Sequence, residues 1–346
     1  QVIAGVPQTV ELAPNLTVNG APSYNVTDGN VVLDIGSYTL RTDTGGVISD
    51  GATVLIDGGE YGRPTNNTGG GSLRIESGGK LAGVGDVNPG RGNVTVEAGG
   101  TLEVGDGELF FNFPFGETFA MHGNLIGNGT TSVLNLGVGS GRNPQLKGIA
   151  PVGPDATITG ITRIRMYLQD NSSPKDFDGN GNFGRFADPD KIRLQDTTFE
   201  IHANSNEQFQ WEVQTTVADV LADADNAAFK LGAVDLRDGG DLKLIDTGSV
   251  DDDFAYIGQL LSLDGDERID LNDRALLTDM DQTGLNDLLG FVDNSGVLGA
   301  PAVKNVTLGG TEYWYLAPEQ TQIVPEPATL ALLGVGGVLM ARRRRK

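Results

Sequence analysis

The chain has 346 residues, 24 Lys and Arg against 46 Asp and Glu, a net charge of -22 and no cysteine. Such an acidic surface repels phosphate backbones, so nucleic-acid partners drop out. The missing thiols exclude disulfide frameworks, thiol catalysis and Cys-ligated zinc or iron–sulfur clusters. Two histidines, His122 and His202, leave almost no material for a Ser–His triad or a multi-histidine metal site, and each reads as a structural or surface residue.

Glycine is abundant, 51 residues with only 15 Pro and 6% aromatics, which describes a thin core with many tight turns. The first residue is Gln1 rather than Met, which leads to the expectation that an export signal has been removed.

The first third carries a repeated phrase. Asn93-Val-Thr-Val-Glu-Ala-Gly-Gly-Thr-Leu102 matches Ser72-Leu-Arg-Ile-Glu-Ser-Gly-Gly-Lys-Leu81, 21 residues earlier. Thr53–Tyr61 reads as a shorter copy, Asn30–Leu40 as a looser one and Ser132–Leu136 as another. Aliphatic residues alternate in each, which buries one face of a short strand, and Gly-Gly supplies a corner. One copy cannot cover its own apolar face; stacked copies can. The expected fold class is therefore all-β, a parallel β-helix, with short helical insertions and a C-terminal hydrophobic helix. An antiparallel sandwich with Gly-rich turns is the competing arrangement. In the stacked reading residues 30, 53, 72 and 93 begin equivalent strands, so that Val32 or Leu33, Val54, Ile75 and Val96 fall in one column. The phrase resembles the passenger-type β-helices of autotransporters and similar bacterial surface proteins.

Beyond residue 150 the phrase fades. Strand-like alternation continues in 157–168, 241–245 and 311–316, and helices are expected over 217–229 and from Asp273 toward Leu289. The organisation reads as 1–150, Gly-rich repeats; 151–320, a β-rich continuation with helical insertions and acidic loops; 321–346, a linker and tail.

Two acidic loops have calcium-type spacing. Asp176, Asp178, Asn180 and Asn182 with Gly181 form the front half of such a loop, but position 12 falls on Ala187. In the second, starting at Ser262, oxygen ligands fall at Asp264, Asp266, Asp270 and Asp273, with the apolar Ile269 at position 8 and a helix expected after it. This loop resembles dockerin calcium loops, departing at Ser262 and at Glu267, where Gly is usual. The resemblance implies a shared Ca²⁺. Each loop reads equally as an Asp/Asn-stabilised turn in an acidic chain. Seven Asn-x-Ser/Thr sequons, at Asn15, Asn25, Asn66, Asn93, Asn128, Asn171 and Asn305, hint at glycan attachment.

The tail is a different object. Pro325-Glu326-Pro327 is followed by fourteen uncharged residues, Ala328–Ala341, and then Arg342, Arg343, Arg344, Arg345 and Lys346. As a helix the apolar run spans ~21 Å, short of the ~30 Å hydrocarbon core. The cations form a positive-inside stop. In order and position these residues resemble the PEP-CTERM sorting signal. That resemblance implies recognition by an exosortase in the inner membrane of a Gram-negative bacterium, removal of the tail, and delivery to the cell surface or an exopolysaccharide matrix. The functional expectation is a non-enzymatic surface or matrix protein, calcium-binding, contacting exopolysaccharide or other surface components, and self-associating as an oligomer or filament. The alternative is a polysaccharide-active enzyme or glycan-binding module on the same scaffold.

Overall fold

A computed structural model of the chain describes residues 8–11, 24–26, 31–41, 46–62, 72–89, 92–112, 118–137, 148–150, 156–168, 192–203, 208–227, 229–246, 254–263 and 265–324. These residues are mostly strand, with few and short helices, as the all-β reading expects. No helix among them is long and apolar enough to cross a membrane, and the apolar run 328–341 lies outside the described residues.

The strands form three sheets in which almost every neighbouring pair is parallel and comes from successive passes of the chain. In the long sheet Leu33 stands beside Val54, Val54 beside Leu81, Leu81 beside Leu102, Leu102 beside Leu125 and Leu125 beside Ile158. An isolated parallel bridge carries the line on to Ile192. All seven side chains are buried, so one continuous aliphatic column runs across the sheet. Further along the same strands Tyr61, Val87, Phe111, Leu136, Met166, Ile201 and Leu236 form a second column. A second sheet stacks Ile48, Ile75, Val96 and Met121, and a third stacks Phe209, Leu242, Ile269 and Val292. These columns merge into one apolar cluster.

The strongest repeat is real in three dimensions. Leu73 and Ile75 pair with Val94 and Val96, and Lys80 and Leu81 with Thr101 and Leu102, so both halves of the phrase are in register, 21 residues apart and parallel. The assignment of the other copies is corrected. Thr53 pairs with Lys80, not with Ser72, and Val32 pairs with Thr53. The segments at 30 and 53 thus align with the second strand of the phrase, in a different sheet from Leu73–Ile75 and Val94–Val96. The strand that precedes Leu73–Ile75 in its own sheet is Gly46–Ile48, which lacks the phrase. Both strands of a pass are short, alternating and glycine-bounded, so residue pattern alone does not separate them.

The helical expectations shrink. Residues 217–229 give only the helix Val217–Ala222, started by a capping box between Thr216 and Asp219. Asp223 then accepts from the amides of Asp225 and Asn226, an Asx-type turn that ends it. After Asp273 the chain first forms the strand Leu276–Thr278, because Leu276 and Leu277 continue the ladder beside Ala255 and Tyr256. The helix begins only at Gln282 and ends at Leu288, capped by Asp281. The ladder closes with an antiparallel hairpin, Pro301–Leu308 and Thr311–Pro318, whose second strand lies antiparallel to Leu276–Thr278. Positive φ at both Gly309 and Gly310 makes its tight turn.

The Gly-Gly corners work by close approach. A Cβ on Gly79 would overlap the carbonyl of Ile48, and one on Gly100 that of Ile75, each on the preceding pass. Gly58 has φ +73° but open space around it. We therefore expect Gly100→Ala to destabilise by about 3 kcal/mol through forced backbone separation. Gly58→Ala should cost only about 1 kcal/mol of conformational strain. Equilibrium urea unfolding of the two variants checks the difference; equal losses would contradict the close-packed corners.

Candidate functional site

Alternation buries Ile164, Met166, Phe199, Ile201, Val234 and Leu236. It therefore turns Arg163, Arg165, Tyr167, Glu200, His202, Asp235 and Arg237 to the opposite face of the long sheet. Parallel register sets Arg165 beside Glu200 and Tyr167 beside His202. The same register sets Glu200 beside Asp235 and His202 beside Arg237. Residues separated by more than thirty positions thus meet in one cluster.

Glu200 is its hub. Only 6% exposed, it accepts hydrogen bonds from Arg163 Nη1 and from Arg165 Nε at 2.6 Å, with His202 Nε2 2.7 Å away. Arg165 Nη1 reaches across to Glu108 at 2.8 Å, and Asn135 Nδ2 donates to the same carboxylate. His202 Nδ1 lies 2.7 Å from Asp238, and its ring stacks on Tyr167 with centroids 4.4 Å apart. Asp235 is clamped by Nε and Nη2 of Arg237, both at 2.9 Å. Burial alone would raise the Glu200 carboxyl, but hydrogen bonds from His202, Arg165 and Arg163 outweigh it and bring it down to about 2. The cluster is close to charge-balanced, and Glu200 at its centre is held by several donors. Chemically it is a rigid polar plank rather than a poised acid–base pair: Glu200 stays ionised, and both arginines beside it are engaged. A carboxyl raised toward neutrality, Asp241, stands on the third sheet, where burial pushes it up to about 6 against the opposing backbone hydrogen bond and charge of Arg268.

Residue pattern did not reveal this cluster. Its only trace is the spacing Arg163-x-Arg165-x-Tyr167 and Glu200-x-His202, which places each set on one strand face.

The calcium-type residues are distributed as follows. Asp176, Asp178, Asn180 and Asn182 lie outside the described residues, as does Asp264. Asp266 is exposed, and no Ca²⁺-sized cluster of three carboxylates or imidazoles forms among the described residues. Asp270 and Asp273 do come close to a common partner, the segment 294–298, but through donors. Asp270 accepts from the Asn272 and Ser295 amides at 3.0 and 2.8 Å and from Ser295 Oγ at 2.7 Å, with Lys243 Nζ at 3.3 Å. Asp273 accepts from the Val297 and Leu298 amides at 2.7 and 2.9 Å and from Asn294 Nδ2 at 2.9 Å. Burial would raise the Asp273 carboxyl, yet these three bonds hold it below its ordinary value. A Ca²⁺ shell is made of oxygen atoms, whereas the groups facing these two carboxylates are N–H and O–H donors. Asp270 and Asp273 as placed do not fit the ion.

The sorting residues Pro325, Glu326 and Pro327 and the basic run Arg342–Lys346 lie outside the described residues, which end at Val324. The last buried side chain among the described residues, Ile323, packs into a second apolar cluster with Tyr315 and Ala317.

Among known families, the PEP-CTERM protein-sorting motif matches residues 324–346. No curated protein and no solved structure matches the chain. The chain thus carries a PEP-CTERM signal, which marks an exported protein sorted to the cell surface through an exosortase.

The Glu200 hub makes acid stability testable. An unfolded Glu takes up its proton near pH 4.5, whereas folded Glu200 resists to about 2. Its stabilisation is complete above about pH 4.5 and lost as pH falls toward 2. Between those limits the wild type should lose about 2 kcal/mol more than Glu200→Gln, a linkage value reduced for the solvent-exposed partners. Denaturant unfolding across that range measures it; parallel pH profiles would contradict the hub.

Proposed function

We propose that this protein is a structural component of the bacterial outer surface or extracellular matrix, exported and then released from a membrane-held tail. The observation that carries the reading is the PEP-CTERM motif at 324–346. It is attached to a body of opposite charge: residues 325–346 hold five cations and one acid, leaving 1–324 at -26. The parallel ladders support a body built as a right- or left-wound parallel β-helix, a shape that presents long flat faces. The mutual bonding of Glu200 with Arg163, Arg165 and His202 supports a structural rather than a catalytic face. Calcium remains part of the proposal at Asp176, Asp178, Asn180 and Asn182, where the loop spacing and the -22 charge support it. Exopolysaccharide in a Gram-negative matrix is the proposed surrounding, and self-association is proposed through the flat faces.

The second reading, a glycan-binding module, is favoured by the same outward face. Tyr167 beside His202, Arg165 and Glu200 offers a ring and fixed polar groups of the kind that sugars engage. Glycan-array binding lost in Tyr167→Ala would select it.

The address reading has a direct test. Ile323 is buried and Val324 exposed, so a chain ending at Val324 keeps every described contact. We expect deletion of 325–346 to leave the melting temperature of the purified protein within about a degree while abolishing surface delivery in the cell. Ending the chain at Pro318 instead removes Ile323 and the Glu319 and Thr321 carbonyls that Lys304 Nζ binds at 2.7 and 2.6 Å, and should lower it clearly. Surface delivery without the tail would contradict the proposal.

A further inference from the structure

The dockerin-like loop and the C-terminal hairpin meet at one place. Asn272 and Asp273 both adopt left-handed backbone, φ 47° and 65°, which is uncommon for residues with side chains. This bend directs the carboxylates of Asp270 and Asp273 onto 294–298, the segment that leads into the hairpin strand Pro301–Leu308. The fit is two-sided. Asp273 donates its own amide to Asn294 Oδ1 at 2.7 Å, and Asn294 Nδ2 bridges onward to the carbonyl of Gly299 at 2.9 Å. Gly296 passes so close that a Cβ there would overlap the Asp273 carboxylate. On the far side of the hairpin, Thr321 Oγ1 donates to the carbonyl of Asp273 at 3.2 Å.

We infer that Asp270 and Asp273 form a metal-independent clasp. Backbone amides and Asn294 take the place that the loop's sequence suggests for a cation, and the clasp locks the root of the hairpin that closes the ladder. An unclosed ladder would expose the edge of Leu276–Thr278, a row of unpaired backbone groups open to another chain. The hairpin covers that edge, and its outer strand begins with Pro301 and carries Lys304, whose ammonium folds back onto the carbonyls of Pro318, Glu319 and Thr321. Charge and proline are the features that blunt an outermost strand. The chain is therefore closed to end-to-end pairing at this end without any ion, a property that does not depend on the export reading.

The test is hydrogen exchange of the full chain, read locally over 294–318, because an ion at Asp176–Asn182 would alter a global melt. The wild type should exchange at the same rate in EDTA and in millimolar Ca²⁺. Asp273→Ala should speed exchange over 297–318 at least tenfold. Gly296→Ala, which removes no oxygen ligand and disturbs only the clasp geometry, should do the same, with no rescue by Ca²⁺. The clasp is overturned if Ca²⁺ slows exchange over 294–318 in the wild type, or if Gly296→Ala exchanges like the wild type. Should Asp273→Ala fail to fold, the wild-type and Gly296→Ala measurements still decide the matter.

Discussion

Apart from the closing hairpin, the described strands depend on a strand one pass away for their backbone hydrogen bonds. Leu73–Ile75 has no partner nearby in sequence; its donors and acceptors are met by Gly46–Ile48 on one side and Val94–Val96 on the other. This constraint fixes much of the rest. Parallel register forces like to lie on like, so a buried aliphatic at one position recruits another on the next pass, and the column from Leu33 to Ile158 follows. It also forces glycine where a corner crowds the preceding backbone, as at Gly79 and Gly100. Finally it creates an end, because the last parallel strand has an open edge. The antiparallel hairpin and the Asp270–Asp273 contacts are the answer to that edge.

The same register that stacks aliphatics inside stacks polar groups outside. With core positions occupied by Ile164, Met166, Phe199 and Ile201, the alternate positions gather arginines against glutamates across neighbouring strands. Burying Glu200 is costly in isolation. Here three charged or chargeable donors surround it, and the cluster becomes a brace between strands that the chain connects only through long excursions. The sorting signal, by contrast, sits in a tail of 23 residues, 324–346.

How much of this could be read from residues differed by region. Where passes have equal length the phrase was legible: Ser72–Leu81 and Asn93–Leu102 are offset by 21 and are stacked with that offset. Where lengths differ, the pattern misled. Thr53–Tyr61 looks like Ser72–Leu81 because both are glycine-bounded alternating strands, yet it pairs with the following strand. The Glu200 cluster was invisible because its members come from strands at 108, 135, 163–167, 200–202 and 235–238, separated by segments of unequal length. Local helical pattern at Leu276 and Leu277 lost to the ladder, which offered both residues full burial. Asp270 and Asp273 show the limit of loop spacing. A turn that binds amides and a turn that binds an ion use the same residue types, and only the partner segment distinguishes them.

Parallel stacking is the central claim, and the absence of cysteine allows it to be tested by introducing two. Arg74 and Thr95 are register partners on adjacent strands, and partners at the ~4.8 Å strand spacing lie within disulfide reach. Under mild oxidation Arg74→Cys with Thr95→Cys should form an intramolecular disulfide in the folded protein, and Arg74→Cys with Thr101→Cys should not. An antiparallel pairing that set Leu73 against Leu102 would bring Arg74 opposite Thr101 instead. Cross-linking of the Arg74–Thr101 pair, with none between Arg74 and Thr95, would contradict the parallel ladder.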